Sequence, residues 1–219
     1  MLDWREIDTV LLDMDGTLLD LNFDNHFWQE FVPLRYAELH GLTLEAAKVA
    51  LAPRFKAMEG KLEWYCLDYW SEELNLNIAG LKQELAGLIA VHPHVVEFLE
   101  AARGRGVYLL LVTNAHRDSL SLKMEKTCLH RFFDRIVSSH DVGLAKEQCG
   151  FWRRLQDQHV FEKQRTLLVD DSLAVLRSAA AFGIAHLVSI SKPDSRRPIR
   201  EITEFPAVED FRALMPGLL

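Results

Sequence analysis

Cysteine is scarce. The 219 residues hold only Cys66, Cys128 and Cys149, an odd number, far apart and in no CxxC pair. That excludes a disulfide framework and the usual structural zinc spacing, and it predicts reduced thiols acting as small, mostly buried hydrophobes. Long apolar runs are missing as well. Nothing approaches the roughly 20 residues that span a bilayer. The opening MLDWREIDTV has no basic stretch leading into an apolar one, so neither a membrane nor an export signal is expected. Positive charge is not in excess: 25 Lys and Arg stand against 32 Asp and Glu, a net charge of −7. Nucleic acid polymers and anionic lipid surfaces, which reward clustered Lys and Arg, are therefore poor partners. The expectation is a cytoplasmic protein acting on something small.

What is present suits one globular protein with room for a small additional module, since 49% of the residues are hydrophobic. Five short segments read as strands: Asp8 to Leu12, Val107 to Val112, Arg135 to Ser138, Thr166 to Val169 and Ile184 to Ile190. Their apolar residues are mostly contiguous, as in VYLLLV and TLLV, which fits strands covered on both faces of a parallel sheet. Helical spacing lies between them: Val95, Phe98, Leu99 and Ala102; Leu120, Met124 and Cys128; Leu173, Leu176 and Ala180. The alternation predicts an α/β fold with a doubly wound, Rossmann-like parallel sheet, whose ligands gather outside the carboxyl ends of the strands.

The alternation lapses between Asp20 and about Ala90. Thr43 to Glu59, Leu62 to Leu74 and Ile78 to Ile89 read as helices there, with Thr43 placed to cap the first. This predicts a helical insert over 20–90 and an α/β core built from 1–19 and 91–219. The insert holds much of the aromatic complement, most of it expected to build a small core of its own. After Ile190, SKPDSRRPIREITEFPAVED is polar and proline-rich, and reads as an irregular surface tail with Phe211 and Leu214 docking a last short helix.

Chemistry concentrates at the predicted strand ends. The first strand runs into Asp13-Met14-Asp15-Gly16-Thr17-Leu18, which offers two carboxylates at i and i+2 before a glycine turn. The strand Thr166 to Val169 runs into Asp170-Asp171-Ser172. Adjacent carboxylates after a buried strand repel each other and lose hydration, so they call for a cation. Oxygen-only ligands suit Mg²⁺ better than Zn²⁺. Thr113-Asn114 closes VYLLLV, and Lys146 lies in a loop-like stretch after Ile136. Each has an ordinary reading alone, as a turn former, a helix cap or a solvated lysine. Their order is the signal.

DMDGTL, then Thr113, then Lys146, then Asp170-Asp171 resembles the four ordered motifs of the haloacid dehalogenase-like superfamily of phosphohydrolases, across the whole core. The helical insert resembles that superfamily's C1 cap. More narrowly, DTVLLDMDGTLLDL, WYCLDYWSE and TNAH resemble its bacterial GMP/IMP nucleotidases. Two features depart from the pattern. Glu147 follows Lys146 where proline is common, leaving Lys126 and Lys163 as alternatives, and the preceding Gly143-Leu144-Ala145 is apolar.

The resemblance implies a Mg²⁺-dependent phosphomonoesterase of purine 5'-nucleotides, with Asp13 as nucleophile and Asp15 as acid and base. It implies Mg²⁺ held by Asp13, the Asp15 carbonyl and Asp171, with Asp170 acting through water. Thr113, Asn114 and Lys146 would hold the phosphate. A purine offers a flat face, so Trp28, Trp64, Tyr65 and Trp70 are candidate stacking partners. Asn22, Asn25, Arg35 and His116 are candidate polar contacts, whereas His92-Pro93-His94 reads as an ordinary helix start. The competing readings are a sugar-phosphate phosphatase or phosphomutase on the same core, and a non-catalytic phosphate-binding protein.

Overall fold

The computed structural model describes residues 2–218. Its centre is a parallel sheet in the order β3-β2-β1-β4-β5-β6, formed by Thr9–Leu12 (β1), Tyr108–Thr113 (β2), Arg135–Ser138 (β3), Thr166–Val169 (β4), His186–Ile190 (β5) and Ala207–Val208 (β6). Leu12 pairs in register with Leu111 on one side and Val169 on the other. The chain winds to β2 and β3 in one direction and to β4 and β5 in the other, so the switch point of the sheet lies at the end of β1.

The contiguous apolar runs have the reason expected. Alternate residues point to opposite faces, and both faces are covered. Val10, Leu12, Leu109, Leu111 and Val169 pack with Phe98, Leu99 and Phe211, while Leu11, Leu110, Val112 and Leu168 pack with Phe151, Trp152 and Leu176. The covering helices are Val95–Gly104 (α7), Arg117–Thr127 (α8), Phe151–Gln158 (α10) and Leu173–Phe182 (α11), with the single turn Ser139–Val142 (α9) after β3.

Between β1 and α7 the chain is helical: Asn22–His26 (α1), Val32–His40 (α2), Leu44–Met58 (α3), Leu62–Tyr65 (α4), Leu67–Leu74 (α5) and Ile78–Glu84 (α6). Thr43 Oγ1 caps α3, accepting from the Ala46 N–H. Phe27, Tyr36, Leu51, Trp70, Leu74 and Ile78 form a core there, separate from the two sheet cores.

Four expectations need correction. The helix predicted over Leu62 to Leu74 breaks at Cys66, whose extended backbone makes it the N-cap of α5, its sulfur accepting from the Tyr69 N–H at 3.5 Å. Asn22 to His40 is also helical, with a π-helical turn at Phe27–Phe31 carrying the chain into α2, where Pro33 sits in the first turn. Proline there donates no N–H and masks the helical pattern. The cysteines are not mostly buried: Cys128 and Cys149 are exposed and Cys66 half-buried. Cys128 ends α8 in the left-handed region (φ 55°) and so falls off the apolar face that Leu120 and Met124 share. The tail is not wholly irregular, since β6 extends the sheet beside β5. Phe211 and Leu214 do dock, in a buried 3-10 turn. No helix among the described residues is long and apolar enough to cross a membrane.

Candidate active site

Asp13 is the first residue beyond β1, and the sheet carries its backbone one step further: its N–H donates to the Val169 carbonyl at 3.0 Å. That register sets Asp13 beside Asp170. Lys146 arrives from the loop after α9, and the apolar character of that loop now has a reason. Ala145 is fully buried, so the loop dives inward and delivers the lysine to the sheet edge. Lys146 Nζ donates to Asp13 Oδ1 at 2.5 Å, to Asp170 Oδ2 at 2.7 Å and to the Val112 carbonyl at 3.0 Å. All three ammonium hydrogens are thereby used. Lys126 is exposed, and Lys163 donates to the Phe182 carbonyl instead.

Thr113 and Asn114 lie at the end of β2 and are buried. Thr113 Oγ1 accepts from the Ala115 N–H at 3.0 Å, leaving its own O–H to donate. Asn114 accepts from the Lys146 N–H and donates to Glu147, both at 2.9 Å, so it braces the lysine loop. Glu147 also accepts from the Tyr65 hydroxyl at 2.6 Å. The residue that departs from the family pattern thus links the helical insert to the strand ends.

Asp171 approaches Gly16 closely. Gly16 has φ +85°, and a Cβ there would lie 2.8 Å from Asp171 Cγ, so only glycine leaves room for the carboxylate. Carboxylate oxygens of Asp13, Asp170 and Asp171 lie within 4.8 Å of one another. Asp13 Oδ2 is buried without a hydrogen-bond partner. An unspent buried carboxylate oxygen in an all-oxygen cluster is the donor set of a hard divalent cation such as Mg²⁺.

These groups floor a cavity of about 320 Å³ between the strand ends and the helical insert, with Trp28, Phe55, Trp64 and Tyr65 on its walls. Asn25 and His116 also line it. Of the other candidates, Trp70 is fully buried beneath Trp28 and Trp64. Arg35 is engaged with Glu38 and Glu84, and Asn22 is not on the lining.

The haloacid dehalogenase-like hydrolase family model matches residues 7–183. The chain belongs to that family. Among the relatives of this hydrolase, GMP/IMP nucleotidase YrfG of Escherichia coli (strain K12) is 39% identical over 216 residues, spanning 99% of this chain and 97% of that protein. Phosphoglycolate phosphatase of Agrobacterium fabrum is 25% identical over 216 residues, spanning 95% and 91%. The crystal structure of a HAD phosphatase from Thermococcus onnurineus shares the fold, with a TM-score of 0.77 at 21% identity over 97% of this chain and 98% of that one.

The hydrolase crowds its charges. Burial, joined by the neighbouring Asp13, pushes the Asp171 carboxyl up to about 7 against the opposing Arg200 and Lys146. Burial also raises Asp170 well above the usual carboxylate range. The Asp15 carboxyl is pushed up to about 6 by burial, with Asp24 and Asp13 adding to the rise and Lys123 opposing it. Lys146 is raised as well, for the opposite reason: burial would lower it, but Asp13 and Asp170 hold its ammonium above the ordinary value.

Sequence reasoning missed several residues of this site. Lys123 on α8 is buried and donates to Asp15 Oδ1 and Asp24 Oδ2, each at 2.6 Å. Lys82 on α6 is buried too and donates to Asp24 Oδ1 at 2.6 Å, its Nζ 4.7 Å from the Phe27 ring centre. Arg200, from the tail, donates to the Asp171 carbonyl at 2.8 Å. A positional signal existed for the two lysines: Lys123 follows Leu120 by three residues and Lys82 follows Ile78 by four, so each falls on the stripe of an apolar residue that turns inward.

Proposed function

We propose that this hydrolase is a Mg²⁺-dependent phosphomonoesterase that releases phosphate from purine 5'-nucleotides, GMP and IMP among them, through an aspartyl-phosphate on Asp13. In this reading residues 20–90 form a cap over the strand ends of the 1–19 and 91–219 core. The observation that carries it is the two-ended cavity: carboxylates and Lys146 at one end, and at the other Trp28 and Trp64, whose ring planes are 29° apart with centroids 6.1 Å apart. An aromatic wall suits the flat face of a nucleobase, and Asn25 and Gln29 on the same lining offer polar contacts to its edge. The near full-length likeness to a GMP/IMP nucleotidase supports the same choice.

The Asp13 carboxylate, held by Lys146 through Oδ1, attacks phosphorus with one of its oxygens. The ammonium offsets repulsion between carboxylate and phosphate, and the Thr113 hydroxyl donates to a phosphoryl oxygen. Asn114 keeps the loop in place and retains one amide hydrogen for substrate. Lys123 fixes Asp15 Oδ1, which leaves Oδ2 to pass a proton to the departing 5'-oxygen and later to take one from the water that cleaves the acyl phosphate. Mg²⁺ would be held by the Asp13 and Asp171 carboxylates and the Asp15 carbonyl, with Asp170 acting through water, and would supply positive charge against the phosphoryl oxygens.

The test is a phosphate-release panel of GMP, IMP, AMP, pyrimidine monophosphates, sugar phosphates and phosphoglycolate, with Mg²⁺ and with chelator. Preferred turnover of GMP and IMP, abolished by chelation, is the expected result. Rapid turnover of a sugar phosphate or phosphoglycolate with all nucleotides ignored would refute the nucleotide assignment.

A further inference from the structure

Two segments singled out in the sequence, WYCLDYWSE and TNAH, also carry side chains that the phosphate end of the cavity does not use, and the fold brings these together. Cys66 is the N-cap of α5, Asp68 lies in its first turn, and His116 is the N-cap of α8 on the far side of the boundary between insert and core. A sulfur, a carboxylate oxygen and a ring nitrogen from these three lie within 4.8 Å of one another. His116 Nε2 is 3.6 Å from Asp68 Oδ2, too long for a hydrogen bond. Tetrahedral Zn²⁺, with ligands at about 2.0–2.3 Å, holds its donor atoms roughly 3.5 Å apart. The His116–Asp68 pair already has that spacing, and a Cys66 sulfur belongs to the same cluster.

Two neighbours point the same way. His116 Nδ1 accepts from the Asp118 N–H at 3.4 Å, and the Asp118 carboxylate, 3.7 Å from the same nitrogen, adds negative charge beside the ring that favours a bound cation. His140 meets His116 edge-on with ring centroids 5.1 Å apart, and its Nε2 is buried without a hydrogen-bond partner, leaving a further nitrogen beside the cluster. Cys66 Sγ already acts as an acceptor, from the Tyr69 N–H.

We propose that Cys66, Asp68 and His116 form a second metal site, for Zn²⁺ or another thiophilic divalent cation, that staples the helical insert to α8 beside the cavity. The donor sets keep the two sites apart: sulfur, nitrogen and oxygen here, oxygen alone at Asp13, Asp170 and Asp171. Cys66 stands between Tyr65 and Leu67, both on the cavity lining, so a bound ion fixes that wall. The site does not depend on which phosphate ester is the substrate.

Co²⁺ is the probe, titrated into the full-length protein with Mg²⁺ saturating. One equivalent per chain should give a near-ultraviolet thiolate-to-metal charge-transfer band together with the visible bands of tetrahedral Co²⁺, both bleached by added Zn²⁺. Cys66→Ser should abolish the band with the far-ultraviolet circular dichroism unchanged. Asp68→Asn, a change at an exposed side chain, should weaken Co²⁺ binding by about tenfold or more. Cys128→Ser combined with Cys149→Ser, and separately Asp171→Asn, should leave the band in place. Absence of a thiolate band in the unmodified protein, its survival in Cys66→Ser, or unchanged affinity in Asp68→Asn would each overturn the proposal.

Discussion

Asp24, from the helical insert, and Lys123, from the sheet-covering helix α8, form a 2.6 Å ion pair in which the lysine is almost completely buried. Lys123 reaches Asp15 at the same distance, and Asp24 reaches Lys82 at 2.6 Å. The order Lys82, Asp24, Lys123, Asp15 alternates sign at every step and runs from the insert to the loop after β1. Each buried charge thus has a partner of opposite sign, without which its desolvation would be prohibitive.

Replacing Lys123 with Met leaves two carboxylates facing each other without their shared cation. Breaking a buried pair from one side costs about 3–5 kcal/mol, so Lys123→Met should lower the urea midpoint by a corresponding amount. It should also lower kcat more than it raises KM, because Asp15 loses the group that orients it.

Acid should weaken the same junction. Burial alone would raise the Asp24 carboxyl, but Lys123 and Lys82 outweigh it and hold the group below its ordinary value. The folded state therefore binds the proton less readily than the unfolded chain. The stability this confers is complete above the unfolded value of about 4 and is lost as pH falls through the lower folded value. Asp24→Asn should be less stable than the unmodified protein in urea melts at pH 7, and the gap should narrow as pH falls below about 4.

Gly16→Ala places a methyl group 2.8 Å from Asp171 Cγ at a backbone φ of +85°. Strain of this kind costs about 1–3 kcal/mol. Because the Asp171 carboxylate must move, the Mg²⁺ concentration giving half-maximal rate should rise as well, which separates this variant from one that is merely less stable.

Asp13→Asn removes the carboxylate proposed as nucleophile but keeps the side chain's shape, and Lys146 retains Asp170 and the Val112 carbonyl as acceptors. Phosphate release should fall on the order of 10⁴-fold or more with the thermal midpoint nearly unchanged. Steady-state assays beside a melting curve decide it, and near-normal turnover would sink the nucleophile assignment.

The core was legible because its signals are local. Buried parallel strands need contiguous apolar residues, and acids directly after them have few ordinary uses. The insert was harder to read. Pro33 interrupts the pattern of the helical run from Asn22, and the break at Cys66 decides that Trp64 and Tyr65 face the cavity while Trp70 turns inward. Lys82 and Lys123 escaped notice because lysines are usually solvated, and only a partner distant in sequence justifies burying one. Arg200 lies in a segment whose composition suggests nothing but surface.

The sequence by itself determined the alternation of the first five strands with their covering helices and the identity of the acids, hydroxyl and lysine that follow the strands, since periodicity and turn chemistry act over a few residues. Only the tertiary structure decided which lysines meet which carboxylates, that Glu147 joins Tyr65 to Asn114, and that Cys66, Asp68 and His116 share one corner. Those pairings bridge 33 to 108 positions of chain in the cases of Asn114 with Glu147 and Asp15 with Lys123. They depend on how the insert settles against the sheet, a packing outcome that no local pattern encodes.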